Sequence, residues 1–134
     1  MREVTEFLNK NDVQYFATVG SDGKPKVRPF QYMLEEDGKM YFCTSNKKDV
    51  FSELKECPYV ELSVSNPEFA WIRLNGKAVF SDNMNIKKAV FDSSEIVKMV
   101  YKTVENPEFE IFYLEDAKAV IADFSGNPPK EYVL

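Results

Sequence analysis

The period of the apolar positions changes along the chain, and each change marks an element. Val4, Phe7 and Leu8 stand at i, i+3 and i+4, which predicts a short amphipathic helix from Val4 to Lys10. Tyr15-Phe16-Ala17-Thr18-Val19 is β-branched and aromatic and stops at Gly20-Ser21-Asp22-Gly23, the pattern of a strand and a turn. A second strand is expected from Val27 to Leu34, with Arg28, Phe30 and Tyr32 on one face and Val27, Pro29, Gln31 and Met33 on the other. Pro29 has no N–H to give a ladder, so it marks an edge or an irregular point. After the turn Glu35-Glu36-Asp37-Gly38, Lys39 to Thr44 reads as a third strand.

Helical spacing returns from Lys47 to Glu56, where Val50, Leu54 and Cys57 fall at i, i+4 and i+7 beside Phe51, and Pro58 ends it. Tyr59 to Ser65 alternates Val60, Leu62 and Val64 inward against Glu61 and Ser63 outward, and Asn66-Pro67 breaks it. Phe69 to Phe80 is strand-like around Asn75-Gly76, which is either a hairpin turn or a bulge in one long strand. Ile86 to Val90 and Ile96 to Tyr101 have helical spacing. Phe109 to Leu114 and Ala117 to Phe124 read as strands separated by Glu115-Asp116, and the tail from Gly126 to Leu134 is extended. Six or seven strands joined mostly by tight turns, with three or four short helices, predict a mainly β fold. An antiparallel sheet or barrel with peripheral helices is favoured over a parallel α/β sheet. The chain has no repeat and no linker, and 134 residues suit one domain spanning 1–134.

Composition narrows the chemistry. There is no histidine, which excludes Ser-His-Asp and Cys-His machinery and the H-E-x-x-H metal site. Two cysteines, Cys43 and Cys57, cannot build a four-cysteine zinc site, and no metal is expected. A net charge of −5, from 17 basic against 22 acidic residues, argues against a nucleic-acid partner. No apolar run reaches the ~20 residues of a membrane span, and the first residues lack the apolar stretch of a secretory signal. The expectation is a cytoplasmic protein, away from membranes, with two free thiols rather than a Cys43–Cys57 disulfide. Neither a G-x-G-x-x-G nor a P-loop pattern occurs, and no carboxylate pair is marked for acid–base work, so no catalytic residue is assigned.

Thr44-Ser45-Asn46-Lys47-Lys48-Asp49 is the most informative stretch. Asn46 reads as an N-cap with Asp49 at N3, which places Lys47 and Lys48 in the first helical turn. Two lysines there oppose the helix macrodipole. A bound anion resolves the conflict, held by helix N–H groups, two ammonium groups and the hydroxyls of Thr44 and Ser45, and phosphate fits that description. The alternative is that both ammonium groups simply face water. Arg28 is either a surface ion pair, a stacked side chain or a bidentate phosphate ligand. Trp71 and Arg73 share a strand face, where Trp71 is a core residue and Arg73 a solvated one unless a ligand lies there.

The order of these motifs resembles the pyridoxamine 5′-phosphate oxidase-like family of FMN-binding split barrels. The residues that carry the resemblance are Tyr15 to Gly20, Asp22 to Phe30, Gly38 to Lys48, Cys57 to Leu62 and Trp71 to Ala78. It implies a six-stranded antiparallel split β-barrel, homodimeric, with FMN sites at the dimer interface; a deazaflavin is the lesser alternative. It implies that Arg28, Lys47 and Lys48 hold the phosphate. Thr44 and Ser45 would touch the phosphate or ribityl chain, and Arg28, Pro29, Phe30 and Gln31 would run beside the ring. Trp71 falls where many members place a glutamine near the flavin, with Arg73 on the same face. It favours the bulge over the hairpin at Asn75-Gly76. True pyridoxamine phosphate oxidases close with a C-terminal Arg, His and Asp signature, whereas this chain ends Pro128-Pro129-Lys130-Glu131-Tyr132-Val133-Leu134, so that reaction is not expected. The function implied is an FMN-dependent oxidoreductase acting on a small molecule, or else a non-catalytic flavin-binding carrier or sensor of the same fold.

Overall fold

In the computed structural model, which describes residues 1–134, the chain runs α1 (Arg2–Lys10), β1 (Gln14–Val19), β2 (Pro25–Phe30), β3 (Leu34–Glu36), β4 (Lys39–Ser45), α2 (Asp49–Glu56) and β5 (Tyr59–Ser65). It continues with β6 (Trp71–Ser81), α3 (Met84–Asp92), α4 (Glu95–Tyr101), β7 (Phe109–Ala122) and β8 (Lys130–Val133). All the strand pairings are antiparallel, in the order β2-β1-β5-β6-β7-β4-β3, and β8 adds to β7. The six long strands β1, β2, β4, β5, β6 and β7 make the split β-barrel, and the short β3 and β8 are additions at its margins.

The split follows from the order. β2 and β3 are consecutive in the chain yet lie at opposite ends of the sheet, joined only by Gln31, Tyr32 and Met33. So short a link forces the sheet to curl until its two ends meet, but no ladder joins β2 to β3 or β4. The expected second strand, Val27 to Leu34, is therefore divided: it ends at Phe30, and Leu34 belongs to the β3–β4 hairpin. Pro29 lies on an end strand with β1 as its one partner, which suits a residue without an N–H. In the link, the Tyr32 N–H donates to the fully buried Gln14 side chain at 2.7 Å and the Met33 N–H to the Tyr41 carbonyl at 3.0 Å. Gln14 in turn donates to the carbonyls of Leu8 and Asn11, so one amide ties α1 to the point where the barrel divides.

Period-two burial fills the barrel with Phe16, Phe42, Leu62, Ile72, Leu74 and Phe112, all at most 1% exposed. Phe16 stacks on Phe30 at 4.6 Å and Phe42 on Phe112 at 5.5 Å between ring centroids. Val4 and Leu8 of α1 close one part of this core and Val50 and Leu54 of α2 another. Burying each such side chain contributes about 1.5–3 kcal/mol. A second cluster, with Tyr41, Val90, Val97, Tyr101, Phe109 and Ile111, packs α3 and α4 against the outer face of β4 and β7.

Asn75-Gly76 is not a hairpin turn but lies inside one continuous β6, and the bulge is in the facing strand: between the pairs Asn75–Lys118 and Lys77–Glu115, Gly76 alone opposes Asp116 and Ala117 of β7. A Cβ on Gly76 would sit 3.0 Å from the Leu114 Cβ and 3.2 Å from the Glu115 carbonyl, so the close strand approach favours glycine. The break expected at Glu115-Asp116 is the same irregularity seen from the partner strand. β7 runs unbroken from Phe109 to Ala122, with Asp116 at φ 53°. The tail, expected to be merely extended, pairs as β8 through Lys130–Val133. Cys43 and Cys57 are both free thiols. No helix is long and apolar enough to cross a membrane.

Phe112→Ala should destabilise the fold by about 3–5 kcal/mol, because four aromatic neighbours cannot all collapse into the space. A urea titration should show a lowered midpoint at an unchanged slope.

Candidate functional site

The split in the barrel opens into a cleft of about 420 Å³, within the range of small-molecule sites, roughly 300–1,000 Å³. One wall is the end of β2 and the link, with Arg28, Pro29, Phe30, Gln31 and Met33. The floor is the end of β4, with Cys43 and Thr44. Lys48, Asp49 and Val50 at the start of α2 form a second wall, and Ile96, Val97, Val100 and Tyr101 of α4 an apolar third. Successive residues of a strand point to opposite faces, so Thr44 ends the inward column of Met40 and Phe42 while Cys43 faces α4.

Arg28 lies on the inward face of β2 beside Phe30, at the rim of the aromatic core. Its Nη2 donates to Glu53 Oε1 at 2.6 Å, and its Nη1 donates to Thr18 Oγ1 at 2.8 Å and to the Phe16 carbonyl at 3.3 Å. Thr18 closes the triangle by donating to the same Glu53 oxygen at 2.7 Å. The side chains of Arg28 and Glu53 are 24% and 11% exposed, so this pair is largely removed from water. Of the three readings open to Arg28, the ion pair is present, although it is mostly buried and its partner lies on α2.

Asn46 is not the N-cap of α2. Its amide donates to the Pro107 carbonyl at 2.7 Å and to Glu110 at 2.9 Å, tying the loop after β4 to the start of β7. The helix begins at Asp49, which puts Lys48 in the N-cap position and Lys47 one residue earlier, and no side chain caps the helix. The physical conflict remains in altered form. A cationic residue stands where a serine or aspartate is favoured, and neither Lys47 nor Lys48 forms an ion pair. Ser45 Oγ accepts the Lys47 N–H at 3.1 Å, which fixes the turn that delivers Lys48 to the cleft.

Thr44 is 2% exposed, lines the cleft, and its hydroxyl is the one buried side-chain polar atom without a hydrogen-bond partner. Leaving such a group unsatisfied costs about 1–3 kcal/mol. Burial pushes the Cys43 thiol up to about 12, against the pull of the Lys48 ammonium. Burial likewise pushes the Tyr101 phenol up to about 12, with Cys43 and Glu108 adding to the effect. Both groups are neutral near pH 7, and neither is poised to lose its proton there.

Of the residues singled out in the sequence, the cleft brings together Arg28, Pro29, Phe30, Gln31, Thr44 and Lys48. Ser45 and Lys47 adjoin it without lining it. Trp71 and Arg73 lie elsewhere: Trp71 packs against Phe124 at 5.1 Å, and the exposed Arg73 pairs with Glu61 at 2.8 Å on the outer face of the sheet. Sequence reasoning missed Glu53, Thr18 and the α4 wall. Glu53 did leave a signal, because it falls between Val50 and Leu54 on the apolar stripe of α2, where an acid is out of place unless paired.

A family model for pyridoxamine 5′-phosphate oxidase matches residues 1–119. Among solved structures, a NimC/NimA family protein from Clostridium acetobutylicum is 30% identical with a TM-score of 0.92, over 100% of this chain and 92% of that one. A pyridoxamine 5′-phosphate oxidase-related, FMN binding protein from Nostoc punctiforme has a TM-score of 0.75 at 15% identity, over 97% of this chain and 86% of that one. A heme binding protein from Mycobacterium smegmatis has a TM-score of 0.73 at 18% identity, over 93% of this chain and 54% of that one. At those two identities the likeness concerns the fold alone. No curated protein matches the sequence.

Burial pushes the Cys43 thiol up to about 12, so it holds far less thiolate at pH 8 than a free cysteine. Iodoacetamide should therefore modify Cys43 at least about tenfold more slowly in the folded than in the urea-unfolded protein. Peptide mapping after timed alkylation reads this directly.

Proposed function

The chain belongs to the pyridoxamine 5′-phosphate oxidase family, and from that premise we propose that the cleft binds FMN and that the protein is an FMN-dependent oxidoreductase acting on a small molecule. The observation that carries this reading is the buried, partnerless hydroxyl of Thr44, flanked in one cleft by Arg28 and Lys48. An oxyanion placed there would satisfy the hydroxyl, and it would compensate an ammonium group set at the start of a helix no side chain caps. Arg28 and Lys48 hold the phosphate in this reading, and Lys47 adds charge from the preceding turn. Ser45 acts through the backbone turn its hydroxyl supports. Pro29, Phe30 and Gln31 form the wall along which the ring system lies.

Bound FMN would supply the redox chemistry, exchanging electrons between a donor and a small acceptor. The residues of the chain bind and orient. Neither Cys43 nor Tyr101 gives up its proton near neutral pH, so the cleft suits hydride or electron transfer better than acid–base catalysis. The same absence of a poised proton donor favours, as a second reading, a flavin-binding carrier or sensor without turnover. Reduction of the bound flavin by NADH or NADPH, followed by reoxidation with a small acceptor, separates the two.

The site is completed, in this proposal, by a second copy of the chain. Pro29 both lines the cleft and belongs to the outward row Pro29-Tyr15-Ser63-Arg73 across β2, β1, β5 and β6. On that face Tyr15 is 54% and Val27 67% exposed, which is unusual for apolar side chains so close together. A partner seated there would meet Trp71 and Arg73, which do not reach the cleft of their own chain. The dimer would thus bring to the site two residues that lie away from the cleft of their own chain.

Purified protein should show a flavin absorption spectrum or acquire one on addition of FMN. Lys48→Glu should weaken FMN binding at least about tenfold, the scale of a lost charge-assisted contact, while the unfolding midpoint stays in place. Unchanged affinity in this variant would defeat the site assignment. Val27→Glu should yield a folded monomer in sedimentation analysis with weakened FMN binding; a persisting dimer would remove this face from the proposal.

A further inference from the structure

A guanidinium carries five N–H donors in a fixed planar fork. In Arg28, both Nη1 donors and one Nη2 donor are engaged, by Phe16, Thr18 and Glu53. Nε–H and the second Nη2–H have no protein partner, and Arg28 lines the cleft. The three bonds lie on elements that cannot shift together easily: Phe16 and Thr18 on β1, and Glu53 on α2, whose Val50 and Leu54 are buried in the core. Thr18 and Glu53 are themselves 3% and 8% exposed and are bonded to each other.

We infer that Glu53 and Thr18 are positioning residues that lock the Arg28 guanidinium so that its remaining N–H donors serve the phosphate of the cofactor. This inference rests on the reading of the cleft as an FMN site. It also runs against simple charge counting. Glu53 is an acid about one side chain away from a proposed dianion, and Asp49 is another acid in the cleft wall. The two basic residues that line the cleft, Arg28 and Lys48, are matched by these two acids. Among the lining residues the charges cancel, Lys47 in the preceding turn adding the one unmatched cation, so the direction of the donors carries much of the selection for phosphate. A free arginine side chain would have to be ordered on binding at a cost in rotamer entropy; here that cost is met when the protein folds.

The test compares the affinities of the full-length protein for FMN and for riboflavin, which lacks the phosphate, by quenching of flavin fluorescence. The dissociation constant for riboflavin divided by that for FMN isolates the contribution of the phosphate. Thr18→Val is nearly isosteric and changes no charge, yet it removes one acceptor from Arg28 and one donor from Glu53. It should reduce the ratio about fivefold through weaker FMN binding, as expected for a loosened charge-assisted hydrogen bond, with riboflavin affinity unchanged. Thr18→Ser, which keeps the hydroxyl, should retain the wild-type ratio. Glu53→Ala should lower the ratio as well, although deleting a negative charge would by Coulomb attraction alone raise it. The inference is overturned if Glu53→Ala tightens FMN binding, if Thr18→Val leaves the ratio unchanged, or if both variants weaken the two flavins equally. Should Glu53→Ala fail to fold, the Thr18 pair decides by itself. A wild-type protein that binds the two flavins equally well sinks the reading of the cleft, and the inference with it, whereas a wild-type preference for FMN that survives Thr18→Val sinks the inference alone.

Discussion

The ion pair between Arg28 and Glu53, 2.6 Å long and mostly withdrawn from water, is the interaction on which the arrangement of the cleft depends. Arg28 sits on the inward face of β2, where the alternation of the strand aims it at the rim of an aromatic core. A charge in that position has to be paired and hydrogen-bonded, because removing one partner from such a pair costs about 3–5 kcal/mol. The required carboxylate comes from α2, so the start of that helix is drawn to the end of β2. Lys48, Asp49 and Val50 reach the cleft for that reason. The polar network that stabilises the junction thus also brings together the two cationic side chains of the cleft.

The cleft itself is a consequence of the sheet order. A closed antiparallel barrel would pair its first and last strands and leave no opening between them. Here β2 and β3 stand at opposite ends of the order with three residues between them, and the chain crosses from one side of the opening to the other. The backbone of that crossing is satisfied through Gln14 and Tyr41 and not through a ladder. Removing the ladder makes room for a ligand beside Pro29, Phe30 and Gln31, and the short α4 supplies an apolar wall opposite. The opening is therefore the direct result of a single interruption in strand pairing.

In the proposed reading, the cleft would act through arrangement more than through reactive groups. Without histidine, and with the Cys43 thiol and Tyr101 phenol both pushed up to about 12, the cleft offers donors and shape rather than proton transfer. Thr44 is the clearest mark of this design, as a buried hydroxyl at the end of a core-facing column with nothing in the chain to bond to. Such a site makes sense where a bound group brings the reactivity and the protein holds it in place.

Local periodicity was enough to place most elements. Helical spacing around Val4-Phe7-Leu8, Val50-Leu54 and Ile96-Val100, and the alternation in β1, β4 and β5, are visible in the sequence because each reports only which face of a short segment meets the core. The lysines before α2 are also legible as a breach of helix electrostatics, although Asn46 is not the cap, since it bonds to Pro107 just before β7 and to Glu110 on it, more than sixty residues away. The break in the second strand after Phe30, the continuity of β7 through Asp116 and the pairing of β8 depend on which strands lie side by side, information that no local pattern contains. For the same reason only the tertiary structure decided that Arg28 answers to Glu53 and Thr18, and that Trp71 and Arg73 stand on the far face. The sequence alone settles the type of residue and its local direction; which charge meets which is settled by the fold, because electrostatic and hydrogen-bond partners are chosen by distance in space and not by separation along the chain.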